Sequence, residues 1–141
     1  FDVALIDSPP ALDLLAINTY AAADAVLIPV QTEFHSLEGL ALMQDDMARV
    51  RRRLNPHLTV LGIVPTFVDR RKRLCRDVLG VLAQKHSADL MQTVIRDNVT
   101  LAEAPSHGQS IFSYDPKSYG AQDYAALGSE VLTRLEARYD S

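Results

Sequence analysis

The stretch Ala25-Val26-Leu27-Ile28-Pro29-Val30 decides the fold of this 141-residue chain. It is an unbroken apolar run of strand length, rich in β-branched residues, which is typical of a strand buried on both faces. Similar runs occur at residues 3–6 and 60–64, and a weaker one at residues 93–95. We therefore predict four buried strands along the chain.

Helical patterns separate these runs. Residues 12–22 are rich in Leu and Ala, and apolar stripes predict further helices around residues 74–82 and 124–139. Apolar residues at spacings of three and four predict another helix, through Leu40, Met43, Met47, Val50 and Leu54. Ser36 is the expected N-cap of this helix, and Asn55-Pro56 is expected to end it. Strands alternating with helices predict an α/β fold with a mostly parallel, doubly wound sheet, whose ligands bind beyond the carboxyl ends of the strands.

The composition excludes several classes of protein. A single cysteine, Cys75, excludes an internal disulfide and a multi-cysteine metal site, and we expect it to be a buried small apolar residue. No apolar run approaches the roughly 20 residues that span a bilayer. The net charge of −4 argues against a generally basic nucleic-acid binder, but nine of the fourteen Lys and Arg residues lie between Arg49 and Arg76. This concentration predicts a local basic face for an anionic partner.

The segment after the first apolar run carries the most informative polar residue. Asp7 follows residues 3–6 and precedes Ser8, Pro9 and Pro10. A carboxylate at the end of a central strand can hold Mg²⁺ through a water ligand, and the prolines stiffen the next turn, so that the turn can respond to a γ-phosphate. The alternative is an aspartate that only caps the next helix.

Several motifs, in order, resemble the ParA/Soj family of partitioning ATPases. Residues 1–10, FDVALIDSPP, are similar to the Walker B and switch II segment of that family, with Ser8 in place of the usual cysteine. Residues 24–31 are similar to its next strand, and residues 101–108, LAEAPSHG, are the most distinctive match. The resemblance implies a P-loop NTPase-like fold that is incomplete at the N-terminus. Residues 1–141 are then the C-terminal portion of a single nucleotide-hydrolase domain, and Phe1 suggests an internal start.

By this resemblance Asp7 is the Walker B residue acting on Mg²⁺, and Ser8, Pro9 and Pro10 form switch II. The family's deviant Walker A motif is missing from these 141 residues. We therefore expect that ATP and Mg²⁺ serve the full-length parent, which is an ATPase, and that this chain alone binds neither tightly and is inactive. The positions near the adenine and ribose are then Thr66, Arg96, Asp97 and Asn98.

The resemblance also implies partners. Family members bind DNA nonspecifically as ATP-state homodimers on the nucleoid in the cytoplasm, without a membrane, and a ParB-like centromere-binding protein stimulates hydrolysis. Arg71 matches a family DNA contact, whereas a second such arginine falls at Thr100. The candidate DNA contacts are Arg70, Arg71, Lys72, Arg73, Arg76 and Arg96. The plain alternative is a solvated helix start.

Two other functions stay open from the sequence. A MinD-like membrane-cycling ATPase would end in a basic amphipathic helix, which residues 136–141 do not resemble. A non-catalytic, truncated interaction module is the alternative of a different class. Glu103 and His107 suggest acid–base chemistry at first sight, but a short helix ended by His107-Gly108 is the better interpretation.

Overall fold

Two parallel strands carry the helices of this α/β fold. The computed structural model describes residues 2–8 and 13–139, except for the side chain of residue 139. In chain order the elements are α1 (Leu14–Ala22), β1 (Ala25–Gln31), α2 (Phe34–Arg53), β2 (Thr59–Thr66), α3 (Arg73–Lys85), α4 (Val99–Glu103), a 3₁₀ turn (Ala104–His107), α5 (Ile111–Tyr114) and α6 (Tyr119–Tyr139). The predicted α/β class with parallel strands and flanking helices is confirmed.

The strands β1 and β2 pair in parallel over their whole length, with Gln31 opposite Thr66 at their carboxyl ends. A register shift between Val26 and Leu27 inserts one extra residue into β2. The predicted strand at 93–95 forms no continuous ladder. Instead, two separate parallel bridges join residues 90–96 to the neighbouring chain segment: Leu90 pairs with Ile63 in β2, and Arg96 pairs with Val68 just after β2.

The apolar run at residues 3–6 was predicted to be the first strand, and that prediction is wrong for the described chain. Residues 2–8 have no regular secondary structure, and the Leu5 side chain is 92% exposed. A buried strand needs a hydrogen-bonded neighbour on at least one side and apolar cover on its faces. The described residues provide neither for this segment, so a strand-like composition does not produce a strand.

Apolar side chains cover both faces of the sheet. Ile63 and its neighbour Val64 point to opposite faces because successive side chains of a strand alternate. Ile63 packs in a cluster with α1, α2 and α3, whose buried members include Tyr20, Leu40, Met47, Val50, Val78 and Leu82. Val64 packs with Met91 and Ile95 and with the α6 side chains Leu127 and Val131. Helices therefore lie on both faces, as a doubly wound sheet requires.

The helix ends are set locally. The helix α2 begins at Phe34, so Glu33, and not Ser36, stands at its N-cap position. It ends at Arg53, close to the predicted stop, and the Asn55 side chain then donates to the carbonyls of Tyr20 and Ala23 at the end of α1. None of the described helices is long and apolar enough to cross a membrane.

The lone cysteine lies in the interior. Cys75 is 2% exposed on α3, beside Val78 and Leu82, which are fully buried. The expectation of a buried, small apolar residue at this position is confirmed. Its burial removes it from reactive chemistry at the surface of the folded chain.

Candidate functional site

The turns at the carboxyl ends of β1 and β2 are joined to each other. The backbone N–H of Thr32 donates to the Thr66 carbonyl at 3.2 Å, and its hydroxyl donates to the Phe67 carbonyl at 3.1 Å. Phe67 has a φ of 53°, a left-handed conformation that is uncommon for a bulky residue. This conformation turns the chain sharply out of β2 and into the cationic segment that follows. Strained backbone of this kind occurs often at functional sites.

That segment, residues 70–76, is called the basic loop here, although it includes the first turn of α3 as well as the turn before it. Its cations are Arg70, Arg71, Lys72, Arg73 and Arg76. Arg71 forms a fork with Asp69, with Nε and Nη2 each 2.9 Å from a carboxylate oxygen. Hydrogen bonds from the Arg71 side chain and backbone lower the pKa of Asp69 to about 2. The Arg71 side chain is nevertheless 91% exposed, so its outer edge remains open to an anion.

The other cations of the basic loop are held loosely or shape its backbone. Lys72 lies 3.7 Å from Asp97, and Arg73 lies 3.8 Å from Asp77, both at exposed positions. Exposed ion pairs of this kind contribute little to stability and exchange readily for other anions. Arg76 instead donates to the carbonyls of residues 70 and 71 and thereby fixes the course of the loop.

The cations do not form the single basic face that the sequence predicted. Arg51, Arg52 and Arg53 occupy the last turn of α2, which leads into the amino end of β2. The basic loop instead follows the carboxyl end of β2. The seven steps between the eight residues of β2, at about 3.3 Å each, separate the two ends by roughly 23 Å. The positive charge is therefore divided into two clusters, one near each end of β2.

Arg96 was predicted for both nucleotide and DNA contact, and it is already engaged. Its guanidinium binds the Asp123 carboxylate with distances of 2.6 to 3.1 Å, and its backbone N–H donates to the same carboxylate at 3.0 Å. The guanidinium also lies 4.1 Å from the centre of the Tyr119 ring. Because Asp123 is only 8% exposed, this arrangement anchors the start of α6 to residues 90–96.

The remaining candidate nucleotide residues lie at the same edge of the sheet. Thr66 ends β2, and a parallel bridge between Val68 and Arg96 brings Asp97 and Asn98 alongside. Asn98 caps α4, accepting hydrogen bonds from the backbone N–H of Thr100 at 2.9 Å and from its hydroxyl. The structure thus brings Thr66, Asp97 and Asn98 together with the basic loop. The side-chain oxygen of Asn98, Oδ1, is already used to cap α4.

The predicted magnesium and switch residues fall in the N-terminal part of the chain. Asp7 is exposed and Ser8 partly exposed within the irregular segment, while Pro9 and Pro10 lie outside the described residues. Over residues 2–8 and 13–139, no three His, Cys, Asp or Glu side chains converge to hold a metal ion. A contact of Asp7 with Mg²⁺ through a water needs only one carboxylate, so this role stays a prediction, and no chemical step is assigned to that ion on this chain.

Sequence reasoning missed two carboxylates on α6 that accept hydrogen bonds, the buried Asp123 and the partly buried Glu130. Besides Asp123, Glu130 accepts the backbone N–H groups of Gln92 and Thr93 at 2.9 and 2.8 Å. Arg134, one turn later, donates to Glu130 and to the carbonyls of Leu61, Asp89 and Leu90; these contacts are called the Arg134 clamp here. The spacing of four between Glu130 and Arg134 was visible in the sequence, but it is also typical of a surface pair.

The pKa values of both carboxylates lie below their ordinary values. Burial by itself raises the pKa of Asp123 and Glu130, but hydrogen bonds from Arg96 at Asp123 and from Gln92 and Thr93 at Glu130 outweigh it. The ionised carboxylates therefore stabilise the folded state at pH values above their pKa values in the unfolded chain, which are about 3.8 for Asp123 and 4.5 for Glu130.

This direction predicts acid sensitivity of the fold. We expect the free energy of unfolding to be constant near neutral pH and to fall as the pH drops below about 4.5, through the lowered folded pKa values. Urea unfolding at pH 7, 4 and 3 measures this dependence. The variants Asp123→Asn and Glu130→Gln should each flatten it, and an unchanged profile in both variants would contradict the assignment.

The distinctive stretch at residues 101–108 is structural in this fold. It forms α4 and the 3₁₀ turn, which Gly108 ends with a φ of 63°. The His107 ring stacks on Tyr114 with 5.0 Å between centroids, and the Tyr114 hydroxyl donates to Glu103 at 3.3 Å. These contacts support the sequence interpretation of a short helix ended by His107-Gly108.

Comparison with known proteins relates the chain to partitioning ATPases. A family model described as an AAA domain matches residues 1–60. The chain is 42% identical over 136 residues to the chromosome-partitioning ATPase Soj of Thermus thermophilus, and 42% identical over 131 residues to the sporulation initiation inhibitor protein Soj of Bacillus subtilis. It covers 96% and 93% of its own length in these matches, but only 55% and 52% of the relatives. The chain thus spans about half the length of the curated relatives it matches.

Solved structures also match nearly all of this chain but only about half of their own length. The fold is similar to that of a cobyrinic acid a,c-diamide synthase from Mycobacterium smegmatis with bound ATP analogue and magnesium, at a TM-score of 0.76 and 29% identity. The match covers 96% of this chain and 48% of that one. The same synthase with bound ADP and magnesium matches at a TM-score of 0.72 and 27% identity, over 92% of this chain and 46% of the other.

Proposed function

This chain is a homologue of the ParA/Soj chromosome-partitioning ATPases over most of its length, and from this premise we propose that it is the C-terminal portion of such an ATPase. The parent protein dimerises with ATP and binds DNA nonspecifically through the basic loop. The observation that carries the proposal is identity of about 42% along nearly the whole chain, together with a cationic loop at the carboxyl edge of the parallel sheet.

The geometry of the basic loop suits a phosphate backbone. Its Arg71, Lys72 and Arg73 side chains are exposed, and the last two have only loose carboxylate partners, whereas Asp69 holds Arg71 through one edge of its guanidinium. Sequence-independent binding requires neutralisation of phosphates and no reading of base edges. Arg96 contributes less to this surface than the sequence suggested, because Asp123 and Tyr119 hold its side chain.

The Asp69–Arg71 fork gives a specific test. We expect Asp69→Asn to raise the DNA affinity of the longer, ATP-loaded protein several-fold, because the substitution removes a negative charge from the loop and frees the Arg71 fork for phosphate. Fluorescence anisotropy with a random-sequence duplex at two salt concentrations measures the effect.

The matched control is Asp46→Asn. This change also raises the net charge by one, but it frees Arg49 in the cluster at the other end of the sheet. Its DNA affinity should stay close to that of the parent protein. An equal gain in both variants would mean that overall charge, and not the basic loop, governs binding.

In the longer protein, this chain would contribute some of the residues that contact the nucleotide and its magnesium ion. In the longer protein Asp7 would act on Mg²⁺ and residues 8–10 would form switch II, with Thr66, Asp97 and Asn98 near the adenine and ribose. The exposed position of Asp7 and the lack of a phosphate-binding loop in these residues support an inactive isolated chain. The structural neighbours with bound ADP or ATP analogue and magnesium support nucleotide binding in the parent.

A turnover assay tests this division of labour. We expect the 141-residue chain to release no phosphate from Mg-ATP above a blank without enzyme. A longer polypeptide that adds a deviant Walker A segment should hydrolyse ATP, and a ParB-like centromere-binding protein should accelerate it. Measurable Mg-dependent turnover by the 141-residue chain would refute the proposal. The parent is expected to work in the cytoplasm on the nucleoid.

A further inference from the structure

An arginine held over an aromatic ring lies near the basic loop. Arg96 donates from Nε and Nη2 to the Asp123 carboxylate, and hydrogen bonds from these two atoms run in the plane of the guanidinium. Asp123 therefore fixes the orientation of that plane. The guanidinium carbon lies over the Tyr119 ring, 4.1 Å from the ring centre, which is a cation–π contact. These two side chains are called the Arg96–Tyr119 platform here.

The platform is accessible from solvent. Tyr119 is 61% exposed, although Arg96 lies over one face of its ring, and the Arg96 side chain is itself 40% exposed. The Asp123 carboxylate already offsets the charge of Arg96 at 2.6 Å. The platform therefore offers flat, rigidly held surface more than it offers a free positive charge. Such a surface suits a flat, uncharged group such as a nucleic-acid base.

Free positive charge lies next to the platform, in the basic loop. A parallel bridge pairs Arg96 with Val68, which directly precedes the loop region, and Lys72 lies 3.7 Å from the carboxylate of Asp97. Phe67, the residue before Val68, is 58% exposed and adds a second aromatic side chain at this edge of the sheet. Exposed aromatic rings and exposed cations are thus interleaved over a short stretch of surface.

We propose that the Arg96–Tyr119 platform stacks on an unpaired base of a single-stranded nucleic acid whose phosphates contact the basic loop. This inference rests on the proposed function, because the basic loop supplies the phosphate contacts. Cations that follow the phosphate backbone, combined with aromatic rings on which bases stack, are the usual means of binding single strands. Bases of a duplex stack on one another, and unstacking them costs free energy, so the platform adds affinity only for unpaired strands.

The test compares three fluorescent probes by anisotropy with the longer, ATP-loaded protein. They are a random-sequence DNA strand, a strand of the same length that has sugars and phosphates but no bases, and a duplex. We expect the strand with bases to bind about 5- to 10-fold more tightly than the strand without them. Tyr119→Leu should remove this difference and leave duplex affinity unchanged, whereas Tyr119→Phe, which keeps the ring, should preserve it. Tyr119 is exposed, so the fold should tolerate both changes.

DNA and RNA strands share the chemistry that the platform recognises. A matching RNA strand is therefore measured with the same variants, and the strand that binds more tightly identifies the source of the base. The proposal is overturned if strands with and without bases bind equally, or if Tyr119→Leu weakens duplex and single-strand binding to the same extent. It is also overturned if Tyr119→Leu weakens binding of a fluorescent ATP analogue and leaves single-strand affinity unchanged, because the platform then serves the nucleotide.

Failure of the proposed function gives a different result. In that case the duplex does not bind, or reversing the charges of Arg71 and Arg73 leaves its affinity unchanged. Normal duplex binding through the basic loop, together with equal affinity for strands with and without bases, refutes only the stacking role of the platform.

Discussion

Replacing Arg134 with methionine is expected to lower the free energy of unfolding by about 3 kcal/mol, the cost of leaving buried polar groups without their charged partner. The Arg134 clamp donates to the carbonyls of Leu61 and Leu90 at 3.0 and 2.8 Å and to Glu130 at 3.1 Å. Methionine fills similar space but offers no N–H, so these acceptors and the Glu130 charge lose their donor.

The control for this prediction lies one turn further along α6. Arg138 also donates hydrogen bonds to the start of β2, at Thr59 Oγ1 and the His57 carbonyl, but these contacts are exposed. We expect Arg138→Met to change the free energy of unfolding by less than about 1 kcal/mol, as is usual for surface sites. Chemical denaturation monitored by far-UV circular dichroism measures both. Equal losses in the two variants would mean that burial of the clamp is unimportant.

Reversing the charge of two arginines in the basic loop should produce the largest functional effect. We expect Arg71→Glu with Arg73→Glu to reduce the DNA affinity of the longer, ATP-loaded protein at least 100-fold at low salt. The slope of log K against log salt should fall by about 2, because two phosphate contacts disappear. Both side chains are exposed, so the fold should tolerate the change.

The division of the cations into two clusters provides the matched control. Arg51→Glu with Arg53→Glu makes the same change in net charge at the last turn of α2, roughly 23 Å away by strand length. We expect a much smaller loss of affinity and a nearly unchanged salt slope. If both double variants lose affinity equally, binding depends on overall charge, and the basic loop is not the contact surface.

The sequence predicted those elements whose partners lie within the chain. The runs that became β1 and β2 pair with each other, and the stripe of α2 packs on them through Leu40, Met47 and Val50. Residues 3–6 have an equally strand-like composition but no pairing neighbour within residues 2–8 and 13–139, and they are irregular. Local pattern reports what a segment is able to form, whereas pairing decides whether it forms.

The candidate site was predicted only in outline. The sequence located the cationic segment and the turn after β2, because charge runs and strand ends are local features. It did not show that Asp123 holds Arg96 or that Asp69 holds Arg71, since neither partnership has a distinctive spacing. Arg96 and Asp123 lie 27 positions apart and meet only after α6 packs beside residues 90–96.

The buried position of Cys75 makes its thiol a built-in probe of how often the interior opens. Since this is the sole thiol of the sequence and it is a buried residue of α3, a maleimide can reach it only when the interior opens. The rate at which a maleimide labels the native chain in dilute denaturant therefore reports how often the interior opens, without any engineered probe.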